Sequence, residues 1–212
     1  MEYLYYPGCT LVDTARSCDR GGRAAARALD VELVEMPDWT CCGTTFPLTN
    51  RKIVGLVAPV RTLVNARREG YEELLTLCSF CYNVLKRANY AVRNRGDERM
   101  RINAYLEDEF VRAGQEYDEY EGEVEVVHLL EVLRDSVGFE SVAAQVTRSL
   151  TDLKVAPYYG CLLLRPQSEI GLDDADEPTV LEDLLGALGC DVIDFPHRVE
   201  CCGSYLGLSS PD

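Results

Sequence analysis

One order of residues occurs twice along this chain, and it constrains the fold more than any other feature. Tyr5-Tyr6-Pro7-Gly8-Cys9 leads to Val34-Glu35-Met36-Pro37 and then to Cys41-Cys42-Gly43, while Tyr158-Tyr159-Gly160-Cys161 leads to Ile193-Asp194-Phe195-Pro196 and then to Cys201-Cys202-Gly203. A repeat on this scale points to a duplicated domain in which each copy is the same supersecondary unit. The first copy adds Cys78-x-x-Cys81. Continuing that spacing in the second copy runs past Asp212, so the second copy is expected to be truncated and to lack its CxxC. The first domain is placed at 1–148 and the start of the second at 149–212.

Within the first copy, Tyr3 to Tyr6 reads as a short strand, Thr10 to Leu29 as a helix and Val31 to Met36 as a second strand. Val60 to Glu69 and Tyr82 to Arg95 predict further helices, and Leu74 to Leu77 is a short apolar run before Cys78. Strands alternating with helices predict an α/β fold, each copy a short parallel sheet flanked by helices. Ligands in such folds gather where strands end and helices begin. Cys9 and Cys78 fall at two junctions of that kind and can meet although 68 residues separate them. Between the copies the acidic stretch Glu107 to Glu125 reads as a solvated connection, leading into a helix around His128 to Leu133.

The chain of 212 residues has 36 acidic against 21 basic side chains and a net charge of −15, a field that repels phosphate backbones and argues against nucleic-acid partners. No stretch is long and apolar enough to predict membrane insertion. The start, Met1 to Cys9, has neither the basic region nor the apolar core of a signal peptide, so a cytoplasmic location is expected. Ten cysteines in a reducing compartment point to metal binding or redox chemistry in place of disulfides.

In the first copy 31 residues separate Cys9 from Cys41-Cys42, and 35 more precede Cys78-x-x-Cys81. Five thiols exceed the four that satisfy a structural zinc or an ordinary cubane cluster. Either one is a bystander or the site is larger and less regular than a cubane. Neighbouring side chains on an extended strand point to opposite faces, so Cys41 and Cys42 can serve one site only at a bend, which Gly43 is suited to supply. Cys78-x-x-Cys81 opens a helix whose N-terminal dipole favours thiolates.

This spacing resembles the CCG domain: Cys, a gap in the thirties, Cys-Cys-Gly, a similar gap, then Cys-x-x-Cys. Tyr5-Tyr6-Pro7-Gly8-Cys9, and Phe195-Pro196-His197 ahead of Cys201-Cys202-Gly203, are most similar to the family formed by the B subunit of heterodisulfide reductase in methanogenic archaea. The resemblance implies a noncubane [4Fe-4S] cluster on Cys9, Cys41, Cys42, Cys78 and Cys81, and a second, partial site of iron, or alternatively zinc, on Cys161, Cys201 and Cys202. It implies reduction of the coenzyme M–coenzyme B heterodisulfide, a small-molecule disulfide, to two thiols. The implied partners are the ferredoxin-like C subunit and the flavin-bearing A subunit of that enzyme, with hydrogenase or formate dehydrogenase further out in an electron-bifurcating complex. No GxGxxG fingerprint occurs here, in line with a flavin on a partner and none in this chain. Two other readings stand beside this one: an electron-transfer CCG subunit of a succinate-, lactate- or glycolate-type dehydrogenase, and a zinc-bound structural module.

Cys18 and Cys190 lie outside the repeated pattern and are expected to pack as small hydrophobes. His128, in an apolar run, is expected to be structural; His197 either caps a turn or serves the second site. Arg16, Arg20, Lys52 and Arg165 neighbour the cysteines and are candidates for holding anionic groups, against the plainer reading of surface basics. Tyr5, Tyr6, Tyr158 and Tyr159 are expected to wall the sites from water.

Overall fold

The computed structural model describes residues 1–44 and 53–203. By packing the chain divides into two units, Met1–Arg27 with Val31–Val127 and Ala28–Asp30 with His128–Asp212. The limits 1–148 and 149–212 follow the cysteine repeat; the change of packing unit falls at 127/128.

The first unit is built on strands β1 (Glu2–Tyr5), β2 (Glu32–Glu35), β3 (Glu73–Thr76) and β4 (Glu125–His128), in the order β2-β1-β3-β4. β1 runs parallel to both β2 and β3, with Leu4 level with Val34 and Leu74. Tyr3, Leu4, Tyr5, Leu74 and Leu75 are all buried, as a strand covered on both faces requires. The helices are α1 (Gly8–Val12), α2 (Arg16–Ala28), α3 (Val54–Arg68), α4 (Ser79–Asn94) and α5 (Gly96–Arg112). α3 buries Val57, Val60, Leu63 and Val64, and α4 buries Tyr82, Leu85, Ala88 and Val92, the three-and-four spacing of an apolar helical stripe. Each large apolar side chain so buried contributes roughly 1.5–3 kcal/mol. Surface pairs such as Arg61–Glu109 at 2.7 Å add at most about 1 kcal/mol, so packing decides where these helices lie.

Three expectations from the sequence are corrected in this unit. The helix expected over Thr10 to Leu29 is two helices, because Ala15 N–H reaches back five residues to the Thr10 carbonyl (2.8 Å) and Arg16 Nε takes the Val12 carbonyl (2.6 Å). Glu107 to Glu125 is exposed along most of its length, as expected, but it is more than a connection. Its first part is the end of α5, and the rest is anchored by Tyr120, which is fully buried. Asn103 Nδ2 donates to the Tyr120 carbonyl (3.0 Å) and Asn103 Oδ1 accepts from its N–H (2.8 Å), while the Tyr120 hydroxyl donates to Asn89 Oδ1 (2.8 Å). Buried amides thus satisfy the polar groups of a segment whose acidic composition hides its anchors. Cys18 is exposed, since α2 turns inward through Ala26 and Asp19, the latter accepting from the Tyr5 hydroxyl at 2.7 Å.

The second unit carries a parallel pair, β5 (Lys154–Val155) and β6 (Asp191–Val192). Around it are α6 (Leu129–Glu131) continuing into a π-helical stretch Val132–Val137, then α7 (Phe139–Ala144), α8 (Gln167–Ile170) and α9 (Val180–Ala187). His128 opens α6 as a cap: its Nδ1 accepts from Leu130 N–H (3.2 Å) and Glu131 returns a bond to its backbone (2.7 Å). The structural role expected of this buried histidine is what the fold gives it. The duplication also shows in the backbone. Gly8 and Gly160 ahead of the lead cysteines, and Gly43 and Gly203 after the paired ones, all take left-handed φ values of 71°, 64°, 87° and 76°, which glycine alone adopts freely. The expected α/β architecture of short parallel sheets flanked by helices is therefore present. Among the described residues no helix is long and apolar enough to cross a membrane.

Candidate metal centre

Three parallel strands deliver the first thiol set. Tyr6 N–H bonds the Leu75 carbonyl (2.8 Å) and Met36 N–H bonds the Tyr5 carbonyl (2.9 Å), so β1, β2 and β3 end level with one another. Beyond that edge, Cys9 opens α1, Cys41-Cys42-Gly43 follow β2, and Cys78 caps α4 with Cys81 in its first turn. Cys78 keeps extended angles (φ −95°, ψ 118°), and its N–H donates to Thr76 Oγ1 at 3.3 Å.

The five sulfurs form one connected group. Cys41 Sγ lies 3.9 Å from Cys9 Sγ, Cys41 and Cys42 interact through their thiols, and Cys81 is the shared hydrogen-bond partner of Cys42 and Cys78. Cys42 and Cys81 are buried, Cys78 is half-buried, and Cys9 and Cys41 are exposed. The bond from Cys81, helped by the backbone N–H groups of Cys81 and Phe80, holds Cys78 down to about 6 against the effect of burial. Cys42 is held down to about 7, again first by Cys81, then by Thr44 N–H and Cys41. Cys81, which supplies those bonds and sits among the other thiols, is pushed up. Burial raises Cys41. Cys78 and, less strongly, Cys42 are thus drawn toward the thiolate form that metals take.

The wall around this set is close-fitting. A Cβ at Gly8 would stand 2.6 Å from Cys81 Sγ, so the backbone there approaches the sulfur as only glycine permits. Tyr6 is buried, raised by burial and then by the four thiols Cys81, Cys42, Cys41 and Cys9, and its ring meets Trp39 edge-on at 5.7 Å. Among the described residues no three His, Cys, Asp or Glu side chains are arranged to hold one metal ion. The five thiols, four of them acting on Tyr6 and one lying against Gly8, make a sulfur-only donor set whose chemistry fits a thiolate-held metal group.

The second set is thinner. Tyr159 and Gly160 N–H groups both donate to the Arg198 carbonyl (2.8 and 3.1 Å), which draws the Cys161 turn to the loop before Cys201. Cys161 and Cys201 share a hydrogen bond, Cys161 is raised by burial and by Cys201, and Gly203 N–H donates to Cys201 Sγ at 3.4 Å. Cys202 lies close enough to act on Cys161; it and Cys201 are exposed.

Other candidates separate cleanly. Arg165 is bound to the Ala175 carbonyl (3.0 Å) and Asp176 (2.6 Å) in its own loop. Arg16 and Arg20 are exposed on α2, Lys52 lies outside the described residues, and Cys190 is half-buried beside β6. His197 pairs with Glu200 at 2.8 Å across one turn. Tyr6 is buried beside the first thiols and Tyr158, 44% exposed, stands beside the second, whereas Tyr5 and Tyr159 are buried on Asp19 and Glu182. Sequence reasoning missed Gly8 as a contact of Cys81, and Trp39 and Thr40 as neighbours of Tyr6; the signals were Gly8's place before Cys9 and the nearness of Trp39 and Thr40 to the Cys-Cys pair.

A parallel α/β core with thiols gathered at its strand ends defines a cysteine-rich domain, begun here twice. The cysteine-rich domain CCG matches residues 3–86 and 155–212, and the chain belongs to that family. It is 35% identical over 96% of its length to the 8-methylmenaquinol:fumarate reductase membrane anchor subunit of Wolinella succinogenes, covering 68% of that protein. It is 29% identical over 97% of its length to the B subunit of the ferredoxin/F420H2-dependent CoB-CoM heterodisulfide reductase of Methanosarcina acetivorans, covering 66% of it. The B subunit of a Methanosarcina mazei heterodisulfide reductase is 26% identical over 96% of this chain and 65% of its own length. The chain thus spans about two thirds of these relatives, each named as a subunit of a larger reductase. A hypothetical protein from Helicobacter pylori shares the fold, with a TM-score of 0.66 and 11% identity over 94% of this chain and 34% of that one.

Proposed function

We propose that this chain is an iron–sulfur subunit that carries electrons within a multi-subunit reductase. In this reading Cys9, Cys41, Cys42, Cys78 and Cys81 hold one noncubane [4Fe-4S] cluster, and Cys161, Cys201 and Cys202 supply part of a second. The observation that carries the reading is the meeting of five thiols at the ends of β1, β2 and β3, one more than a zinc ion or a cubane uses. Such a cluster, when bound, supplies one-electron transfer at iron held by sulfur. The chain's residues do the rest. Cys78 and Cys42 present thiolates, Tyr6 and Trp39 exclude water from the inner side, and the exposed Cys9 and Cys41 leave the outer side open to a partner or substrate.

Two specific forms follow from the relatives. Reduction of the coenzyme M–coenzyme B heterodisulfide, with electrons delivered by ferredoxin-like and flavin-bearing partners, is the form expected from the motifs and supported by the relatives at 26–29% identity. Relay of electrons in a quinol-linked fumarate or succinate system is the second, favoured by the relative at 35%. Neither requires a membrane helix in this chain, and we place it on the cytoplasmic side.

Iron and acid-labile sulfide measured on anaerobically purified protein test the cluster; zinc in their place sinks it. Assay of the purified complex with the coenzyme M–coenzyme B disulfide and with quinone analogues separates the two forms. Turnover with quinone alone rejects disulfide reduction.

A further inference from the structure

One tyrosine stands three residues before the lead cysteine of each set, and the two make the same contacts. The Tyr6 hydroxyl donates to the carbonyl of Thr40 (2.5 Å), the residue immediately before Cys41-Cys42. The Tyr158 hydroxyl donates to the carbonyl of Glu200 (2.7 Å), the residue immediately before Cys201-Cys202. Each ring also lies against the glycine that precedes the lead cysteine: a Cβ on Gly8 would be 3.4 Å from Tyr6 Cε1, and one on Gly160 would be 3.4 Å from Tyr158 Cε1. An aromatic from the loop after the second strand packs on each, Trp39 on Tyr6 at 5.7 Å and Phe195 on Tyr158 at 6.4 Å.

We propose that Tyr6 and Tyr158 are positioning residues, each a clamp that sets the spacing between a lead cysteine and its Cys-Cys pair. The inference rests on the reading of the thiols as cluster ligands and goes beyond a wall against water. The physical argument is one of linkage between distant segments. Cys9 and Cys41 belong to loops after different strands, and among the described contacts their sulfurs meet only at 3.9 Å. A rigid ring with two torsions, fixed at one end by glycine and at the other by a carbonyl, holds those loops at a set distance. Glycine is needed beneath the ring because a side chain there would lift it. The carbonyl bond also fixes the plane of the peptide entering the bend, on which the directions of both paired thiols depend. Metal ligation tolerates only about 0.2 Å of misplacement, so a bond remote from the metal governs how well the set fits it. Tyr6 is fully buried and Tyr158 is 44% exposed; water can replace the second bond but not the first, and the first clamp is the stronger.

The test compares Tyr6→Phe and Tyr158→Phe with Tyr71→Phe. Tyr71 gives up an equally ordinary bond, to Glu2 at 2.8 Å, at the other end of β3 from Cys78. Hydrogen–deuterium exchange of the metal-free chain reads the clamp itself: exchange should quicken over 40–43 in Tyr6→Phe and over 200–203 in Tyr158→Phe. In the anaerobically purified, cluster-bearing chain, Tyr6→Phe should release iron to a chelator about tenfold faster, as loss of one buried hydrogen bond implies, and should shift the paramagnetic resonance spectrum of the reduced cluster. Tyr71→Phe should do neither. Unchanged exchange in both clamp variants overturns the proposal. Faster exchange with an unaltered spectrum and iron release reduces the tyrosines to ordinary packing and also overturns it, as does an equal effect of Tyr71→Phe. Wild-type protein without iron or sulfide refutes the cluster reading instead, while the exchange data still judge the clamp in the metal-free chain.

Discussion

Gly8→Ala isolates the closeness of backbone to sulfur on which the first thiol set depends. Two costs add at this position. The first is conformational: φ is +71°, and a side chain held in the left-handed region costs about 1–2 kcal/mol. The second is steric: the new methyl would stand 2.6 Å from Cys81 Sγ, so the sulfur must retreat by roughly 1 Å to reach ordinary van der Waals contact. That displacement is several times the roughly 0.2 Å that metal–ligand geometry allows. Cys81 is also the shared hydrogen-bond partner of Cys42 and Cys78, so moving it disturbs three ligands. Gly70→Ala is the matched control, with φ +86° and nothing within 4 Å of the new methyl. Gly70→Ala should lose about 1–2 kcal/mol in chemical denaturation and Gly8→Ala more, and only Gly8→Ala should lose most of its iron and acid-labile sulfide after anaerobic purification. Full iron content in Gly8→Ala, or equal loss in Gly70→Ala, would refute the reasoning.

Asn103→Ala removes the partner of the Tyr120 backbone and of the Tyr117 hydroxyl and should cost about 2–3 kcal/mol, since buried polar groups are left unmet; a thermal midpoint lowered by less than about 2 °C would contradict this. Asp135 is held below its ordinary range, first by the hydrogen bond from Arg134 and then by its charge. A depressed folded value gives stability present above the unfolded value, about 3.9, and lost as pH falls through the folded one. The gap in denaturation midpoint between wild type and Asp135→Asn should therefore hold from about pH 7 to 5 and close below about pH 4; a gap that widens in acid would be the wrong sign. The chain of 212 residues should take up about four irons, one cluster, on reconstitution, and Cys161→Ser should leave that number standing; uptake of about eight would show the second set to be complete.

The fold class and the first thiol set were legible because both are written in spacing. Strand-sized apolar runs before Cys9 and Cys78, and Gly43 after the pair, carry their own backbone preferences, and the structure places them as those preferences require. What stayed hidden depends on contacts between segments far apart in sequence. The acidic stretch before β4 reads as solvent-facing by composition, yet Asn89 and Asn103 bury Tyr120 within it. Cys18 reads as core among alanines, yet Asp19 and Ala26 take the inward positions of α2. Arg165 stands near Cys161 in sequence and is nevertheless committed to Asp176.

The two thiol sets also differ in a way that spacing alone does not reveal. In the first, a buried thiol of α4's opening turn bonds two neighbours, and those neighbours are lowered to about 6 and 7, Cys81 being the largest cause of both. In the second, no such turn stands among the described residues, and Cys161 is raised, by burial and by Cys201. The first set thus has a thiol in the opening turn of α4 that lowers Cys78 and Cys42, and the described residues of the second set show no counterpart to it. Duplication copies the strand, the glycine and the tyrosine, and with them the order of three cysteines. On the proposed reading, the first set, which holds both lowered thiols, is the better prepared to bind a metal core.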